Sequence, residues 1–298
     1  MRHRWTGVFS IVLPLMLIAL ILAPGEKAVE SPAAFLAVVL LIMAFGLLMW
    51  RFRRVWNSDL LCLVWTLLLV WELCTTKLNV MHPVLVPAPE DVFHVYITQY
   101  PLLLRGIVSS LQLLLVGGVL GVCLGVLLGL LVGWTERLRA LFFPIAQVMA
   151  PISPIIYAPY LIALMPSFRS ASMLIIFLGV FLPMFLNTII RVGAVEQRIL
   201  DSARALCVSD AAMIFRILLP SLLPGIIGGL KVTLATSFML LTFAEMMGAT
   251  SGMGYYIINY AHYANYTNVI AGIFLMGMVI ILLNKLLERL QAIMIPWK

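Results

Sequence analysis

The amino-acid sequence predicts an all-α, polytopic membrane protein of about eight transmembrane helices, and composition, segment length and charge placement each point to it. Of 298 residues, 63% are hydrophobic and 10% charged, with a mean hydropathy of +1.12, a balance that a soluble domain does not tolerate. A membrane-crossing helix needs about 20 largely apolar residues, because the hydrocarbon core is roughly 30 Å thick and each helical residue rises about 1.5 Å. Uncharged or nearly uncharged runs of that order occur at 8–24, 33–50, 59–76, 106–133, 142–165, 171–190, 224–247 and 268–287. With the amino terminus in the cytoplasm, the even loops and both termini hold Arg51, Arg53, Arg54, Arg137, Arg139, Arg191, Arg198, Arg204 and Arg216, with Arg2, Arg4, Lys285, Arg289 and Lys298. The opposite side holds Lys27, Lys77, Arg105 and Arg169, an asymmetry that obeys the positive-inside rule with both ends cytoplasmic.

The formal charge of +7 is therefore a consequence of topology, and no nucleic-acid partner is required. The first run follows Arg2-His3-Arg4, which resembles the basic region of a signal peptide. An uncleaved first helix is expected instead, since the run is long enough to span and another follows within about ten residues. Cys62, Cys74, Cys123 and Cys207 show no CxxC spacing, and His82, His94 and His262 no ligand spacing, so neither a metal site nor a disulfide framework is expected. No cofactor is expected either.

Residues 1–80 form an amino-terminal segment of three helices. Residues 81–104 form an outer-face linker in which Pro83, Pro87 and Pro89 break helix, and Glu90 and Asp91 open a short amphipathic segment, Val92 to Tyr100, along the membrane surface. Residues 105–298 form a five-helix working module. Its first helix carries Gly117, Gly121, Gly125, Gly129 and Gly133 at intervals of four, a small-residue stripe on one face. In lipid such stripes let helix backbones approach closely, so the expectation is scaffold packing. The run 142–165 contains Pro144, Pro151, Pro154 and Pro159 and cannot be a regular helix. Carbonyls freed by proline are tolerated where the backbone faces protein or a water-filled path, so Pro151 and Pro154 either line a path or mark a packing kink.

Between Ile190 and Ser221 the hydrophobic pattern is interrupted by the longest cytoplasmic excursion, 191–221. Two short helices with a bend between them fit it: one from about Glu196 to Leu206, and one from Asp210, as amino-terminal cap, to Leu218, with Pro220 ending it. Here the sequence resembles the integral membrane permeases of ABC importers, whose loop reads E-A-A, three residues, G, nine residues, I, one residue, L-P. Asp201-Ser202-Ala203, Cys207, Ile217 and Leu219-Pro220 fall on that pattern without a gap. The departures are a shortened acid, serine for alanine, and cysteine for a glycine that often supplies a positive φ. The resemblance extends over roughly 84–290 and is strongest to the nitrate, sulfonate and taurine permeases. Leu85 to Phe93, Leu182-Pro183 with Asn187-Thr188, and Ala244-Glu245 through Gly254-Tyr255 carry it.

The resemblance implies a type I ABC importer permease core, preceded here by three extra helices, in the bacterial cytoplasmic (inner) membrane. It implies two copies of an ABC ATPase subunit, a second permease copy as a homodimer, and an extracytoplasmic substrate-binding protein. The short helix near Ser202 to Cys207 would dock on the ATPase, with Asp201 and Arg204 at the rim and Ala203 allowing close approach. The chain itself has no P-loop: Leu230 stands where the second glycine of a match at Gly225 to Lys231 must be. The chain is thus expected to be a transport subunit, not an enzyme.

Asn187 and Glu245 complete the candidate path or helix-break residues. A carboxylate at a helix end in the membrane is costly, and Glu245 is expected to act as a structural hydrogen-bonding group rather than line the path. Glu72 is expected to snorkel outward to the interface. An ion-coupled secondary transporter is the alternative, but it usually shows internal repeats and buried ionisable groups. An intramembrane enzyme is weaker, with no GxSxG, HExxH or helix-borne aspartate pair.

Overall fold

The computed structural model describes residues 2–23, 32–51 and 56–294, and among these every regular element is helical. The side chains of Arg2, Arg4, Lys27, Arg51, Arg53, Arg54, Arg204 and Lys298, named above, lie outside the described residues. In chain order the helices are α1 (Arg2–Leu22), α2 (Ala33–Arg51), α3 (Trp56–Glu72), α4 (Pro89–Thr98), α5 (Tyr100–Trp134), α6 (Glu136–Met149) and α7 (Pro154–Leu164). They continue with α8 (Phe168–Gly193), α9 (Gln197–Ala205), α10 (Asp210–Ala212), α11 (Leu219–Met246), α12 (Met253–His262) and α13 (Tyr266–Met294). Two π turns, Leu73–Lys77 and Met213–Leu218, extend α3 and join α10 to α11. The chain divides into two compact units, Met1–Leu104 with Ile257–Phe274, and Arg105–Tyr256 with Leu275–Lys298.

In the first unit α1 packs on α3 and α2, and α2 packs on α3 and α4. Leu17 and Ile21 of α1, Phe35 and Val39 of α2 and Trp65 of α3 form its buried centre. The helix α4 starts where Pro89 supplies a fixed φ and gives up an N–H that a first turn would leave unpaired. Its Val92 and Val95 are buried, and Phe93 stacks on Phe35 with ring centroids 5.3 Å apart. Trp71 donates its indole N–H to the Pro87 carbonyl at 3.1 Å, tying the proline-rich connection to the end of α3. Glu72 does not snorkel: it is fully buried and accepts a hydrogen bond from Thr76 at 3.2 Å, because α4 packs against this end of α3 and closes the route outward.

In the second unit α5 and α8 lie side by side in constant register. A Cβ added at Gly121, Gly125, Gly129 or Gly133 would come within 2.6 to 2.9 Å of the Cβ of Val180, Met184, Thr188 or Val192, respectively. At Gly117 it would meet the Met173 carbonyl oxygen at 2.9 Å. Both sets ascend together, so the two helices are parallel. Two parallel spans require a return crossing between them, and α6 with α7 is the segment available. That return is broken: the two helices meet at 96° across Ala150 to Ser153. A proline at the first position of α7 and another directly after Ala150 make a straight helix impossible.

Two details of the 191–221 segment differ from expectation. Asp210 is not the cap of the second short helix; Ser209 precedes it in extended conformation, and the Asp210 carboxylate instead accepts the Trp134 indole N–H at 3.2 Å. Nor does Pro220 end that helix, which runs through the π turn into α11. The Leu219 N–H reaches back to the Ile214 carbonyl, five residues earlier, and this wider ladder accommodates a ring that would clash in a regular α-helix.

Candidate functional site

The segment most distinct from a membrane span is α9 and the bend that follows it. Within α9, Gln197 donates to the Asp201 carboxylate at 3.4 Å and the Ser202 hydroxyl to the Arg198 carbonyl at 2.8 Å. Asp201, Ser202, Ala205 and Leu206 are exposed, Leu206 to 79%. Ala203 is only 5% exposed. Its small side chain thus faces away from solvent, on the opposite side of α9 from Asp201 and Ala205.

The bend is built at Cys207, whose φ is +53°, in the left-handed region. The Val208 N–H bonds the Ala203 carbonyl at 3.3 Å, five residues back, which is the closing bond of a Schellman cap. Cysteine thus holds the conformation that glycine adopts without steric cost. Beyond it Ile217 and Leu219 are half-buried and Pro220 is exposed.

The candidate path residues do not converge. The break between α6 and α7 opens a cavity of about 210 Å³ whose lining includes Ser153, Pro154, Gly179, Pro183, Thr236 and Met239. Pro151 lies exposed in the break itself, and Pro154 is buried beside Gly179. Asn187 is exposed one turn beyond Pro183 and does not line this cavity. Sequence reading missed Thr236 and Met239. The hydroxyls at Thr233, Thr236 and Ser237 interrupt an otherwise apolar run and were the available signal.

Glu245 lies elsewhere, fully buried near the end of α11. It accepts the Ser110 hydroxyl at 2.6 Å and the Gly254 N–H at 2.7 Å, while the Met253 N–H donates to Ser110 at 2.9 Å. Gly252, at φ +123°, passes so close that a Cβ there would collide with the Glu245 carboxylate. The arrangement ties α5, α11 and the start of α12 into one hydrogen-bonded knot.

Comparison with known proteins places these features in context. The chain is 26% identical over 238 residues to the taurine transport system permease protein TauC of Escherichia coli, covering 78% of this chain and 86% of that protein. It is 27% identical over 253 residues to the putative aliphatic sulfonates transport permease protein SsuC of Bacillus subtilis, covering 83% and 90%. It is 29% identical over 190 residues to the nitrate import permease protein NrtB of Leptolyngbya laminosa, covering 64% and 68%. In fold it is similar to an inward-facing structure of the MetNI methionine ABC transporter, with a TM-score of 0.59 at 19% identity over 66% of this chain and 98% of that one. The profile of the binding-protein-dependent transport system inner membrane components matches residues 121–298, which include the broken span, α9 and its bend, and Glu245 with Gly252 to Gly254. This chain belongs to that family of multi-pass membrane transport proteins.

Proposed function

We propose that the chain forms the translocation path of an ATP-driven importer and receives its power stroke through α9. The observation that carries this reading is the Schellman bend at Cys207, at the position where the importer pattern has its glycine. An exposed nine-residue helix, stopped by a sharp bend and continued into a long membrane helix, transmits a push at its tip to the bundle. Leu206 supplies an apolar anchor at the tip and Asp201 a charged contact at the rim, the combination that interface hot spots use. Two ATPase copies act on two copies of this chain, and a binding protein delivers the solute from outside. The solute is small and of the nitrate, sulfonate or taurine kind, as the names of the relatives suggest. ATP hydrolysis resides in the partner, and both termini lie in the cytoplasm.

The test is affinity purification of the tagged chain in mild detergent, with the partners identified by mass spectrometry, beside Asp201→Lys and Leu206→Asp variants. An ATPase subunit recovered with the wild type and lost from the variants is expected. A wild-type complex without any ATPase would refute the reading and favour an ion-coupled transporter.

A further inference from the structure

The amino-terminal unit holds a site that the importer reading does not use. Glu72, at the end of α3, is fully buried, and Glu90, in the first turn of α4, is 2% exposed. Thr76, on the π turn, lies 3.2 Å from one oxygen of Glu72 and 3.4 Å from one oxygen of Glu90. Its single hydroxyl proton can serve only one of them. Thr75 cannot make up the difference, since its hydroxyl is donated to the Trp71 carbonyl at 2.7 Å. The second Glu72 oxygen, Oε1, is buried with no hydrogen-bond partner. The cluster is thus rich in acceptors and short of donors, and burying two like charges in contact is prohibitive unless one is neutralised.

We propose that Glu72 and Glu90 form a proton-binding site: one proton is held between them, so that one carboxylic acid donates to the other's carboxylate and fastens α4 to the end of α3. A proton turns an acceptor into the missing donor with no added volume. A hard metal ion fits less well, since calcium takes six to eight oxygens at about 2.3–2.6 Å. Here the oxygens are spaced at hydrogen-bonding distances, and among the described residues no third Asp, Glu, His or Cys joins to make a metal-binding group.

Few other charges bear on the pair. Lys77, on the same π turn, faces it and donates to the Ala23 carbonyl. The helices α1 and α2 pack on α3, and their described residues at this end, 12–23 and 32–44, carry no titratable side chain. On α4, Tyr96 donates to the Ala271 carbonyl, and Asp91 and His94 line a separate polar cavity with Asn265 and Asn268. In segment 266–274, whose Phe274 meets Trp71, the titratable side chain is Tyr266.

Infrared spectroscopy of the assembled complex in lipid discs tests this. The wild-type spectrum at neutral pH should contain the carbonyl stretch of one protonated carboxylic acid per chain that is missing from both Glu72→Gln and Glu90→Gln. Glutamine beside a carboxylate mimics the acid–carboxylate pair, so each single variant should keep a thermal midpoint close to that of the wild type, and a large loss of stability in either would count against the shared proton. Any contribution of Glu245 cancels in the difference spectra. A neutral-pH spectrum with no band distinguishing wild type from either variant would overturn the proposal. So would a wild-type thermal midpoint raised by sodium or calcium and abolished in both variants, which would mark a metal-ion site.

Discussion

Replacing Cys207 by glycine removes a side chain from a left-handed backbone position, and the structure sets the size of the effect. At φ +53° an L-residue pays roughly 1–2 kcal/mol relative to its preferred conformations. Glycine avoids that cost but gives back about 0.4–1 kcal/mol through the greater freedom of its unfolded state. Cys207 is exposed, so no packing is lost. Taken at the middle of both ranges, the net gain is about 0.8 kcal/mol, within a two- to five-fold change in the local opening equilibrium. The gain falls on the bend, whose reporter is the Val208 N–H bonded to the Ala203 carbonyl. Hydrogen exchange on the complex in lipid discs should show Val208 two- to five-fold more protected in Cys207→Gly. A β-branched replacement, Cys207→Val, should reverse the sign, because branching at Cβ worsens the left-handed clash. Unchanged or faster exchange in Cys207→Gly, or slower exchange in Cys207→Val, would refute the assignment of strain to this residue.

Other substitutions test the membrane module. Gly125→Leu should abolish assembled complex, since even a Cβ there would lie 2.9 Å from that of Met184; normal complex yield on size-exclusion chromatography would contradict the packing. Glu245→Leu strands the Ser110 hydroxyl and the Gly254 N–H, at about 1–3 kcal/mol each, whereas Glu245→Gln retains an acceptor; thermal midpoints should fall far more in the first. Gly252→Ala should be destabilising as well, and a midpoint equal to wild type would show that the knot yields freely. Met239→Trp fills the cavity at the α6–α7 break and should block uptake at normal complex yield; undiminished uptake would remove that cavity from the path.

Much of this architecture was legible because lipid imposes so few solutions. Apolar length is read one segment at a time, and a backbone that must satisfy itself in hydrocarbon has no choice but helix when it does not close a barrel. The spacing of Gly117 to Gly133 was legible for the same reason: a period of four on a helix puts small residues on one face whatever lies opposite. The gapless pattern from Asp201 to Pro220 identified the helix–bend–helix segment in advance. It could not show that Ala203 is buried, because burial depends on packing that a contiguous motif does not encode.

The sequence by itself determined the all-helical class, the rough positions of the apolar helices and the family, since each follows from composition, local periodicity or a contiguous motif; among the described residues five helices, or six with the broken pair α6–α7, are long and apolar enough to cross a membrane, fewer than the eight spans expected. Only the tertiary structure decided the fates of Glu72, Asp210, Pro220 and Asn187. Glu72 was buried by α4, and Asp210 was taken by Trp134 from far along the chain. Pro220 was absorbed by a π turn, and Asn187 was left outside the cavity that Pro154 and Thr236 share. A polar side chain or a proline can be satisfied in several ways at similar local cost, and the partner that settles the matter is supplied by packing between segments distant in sequence.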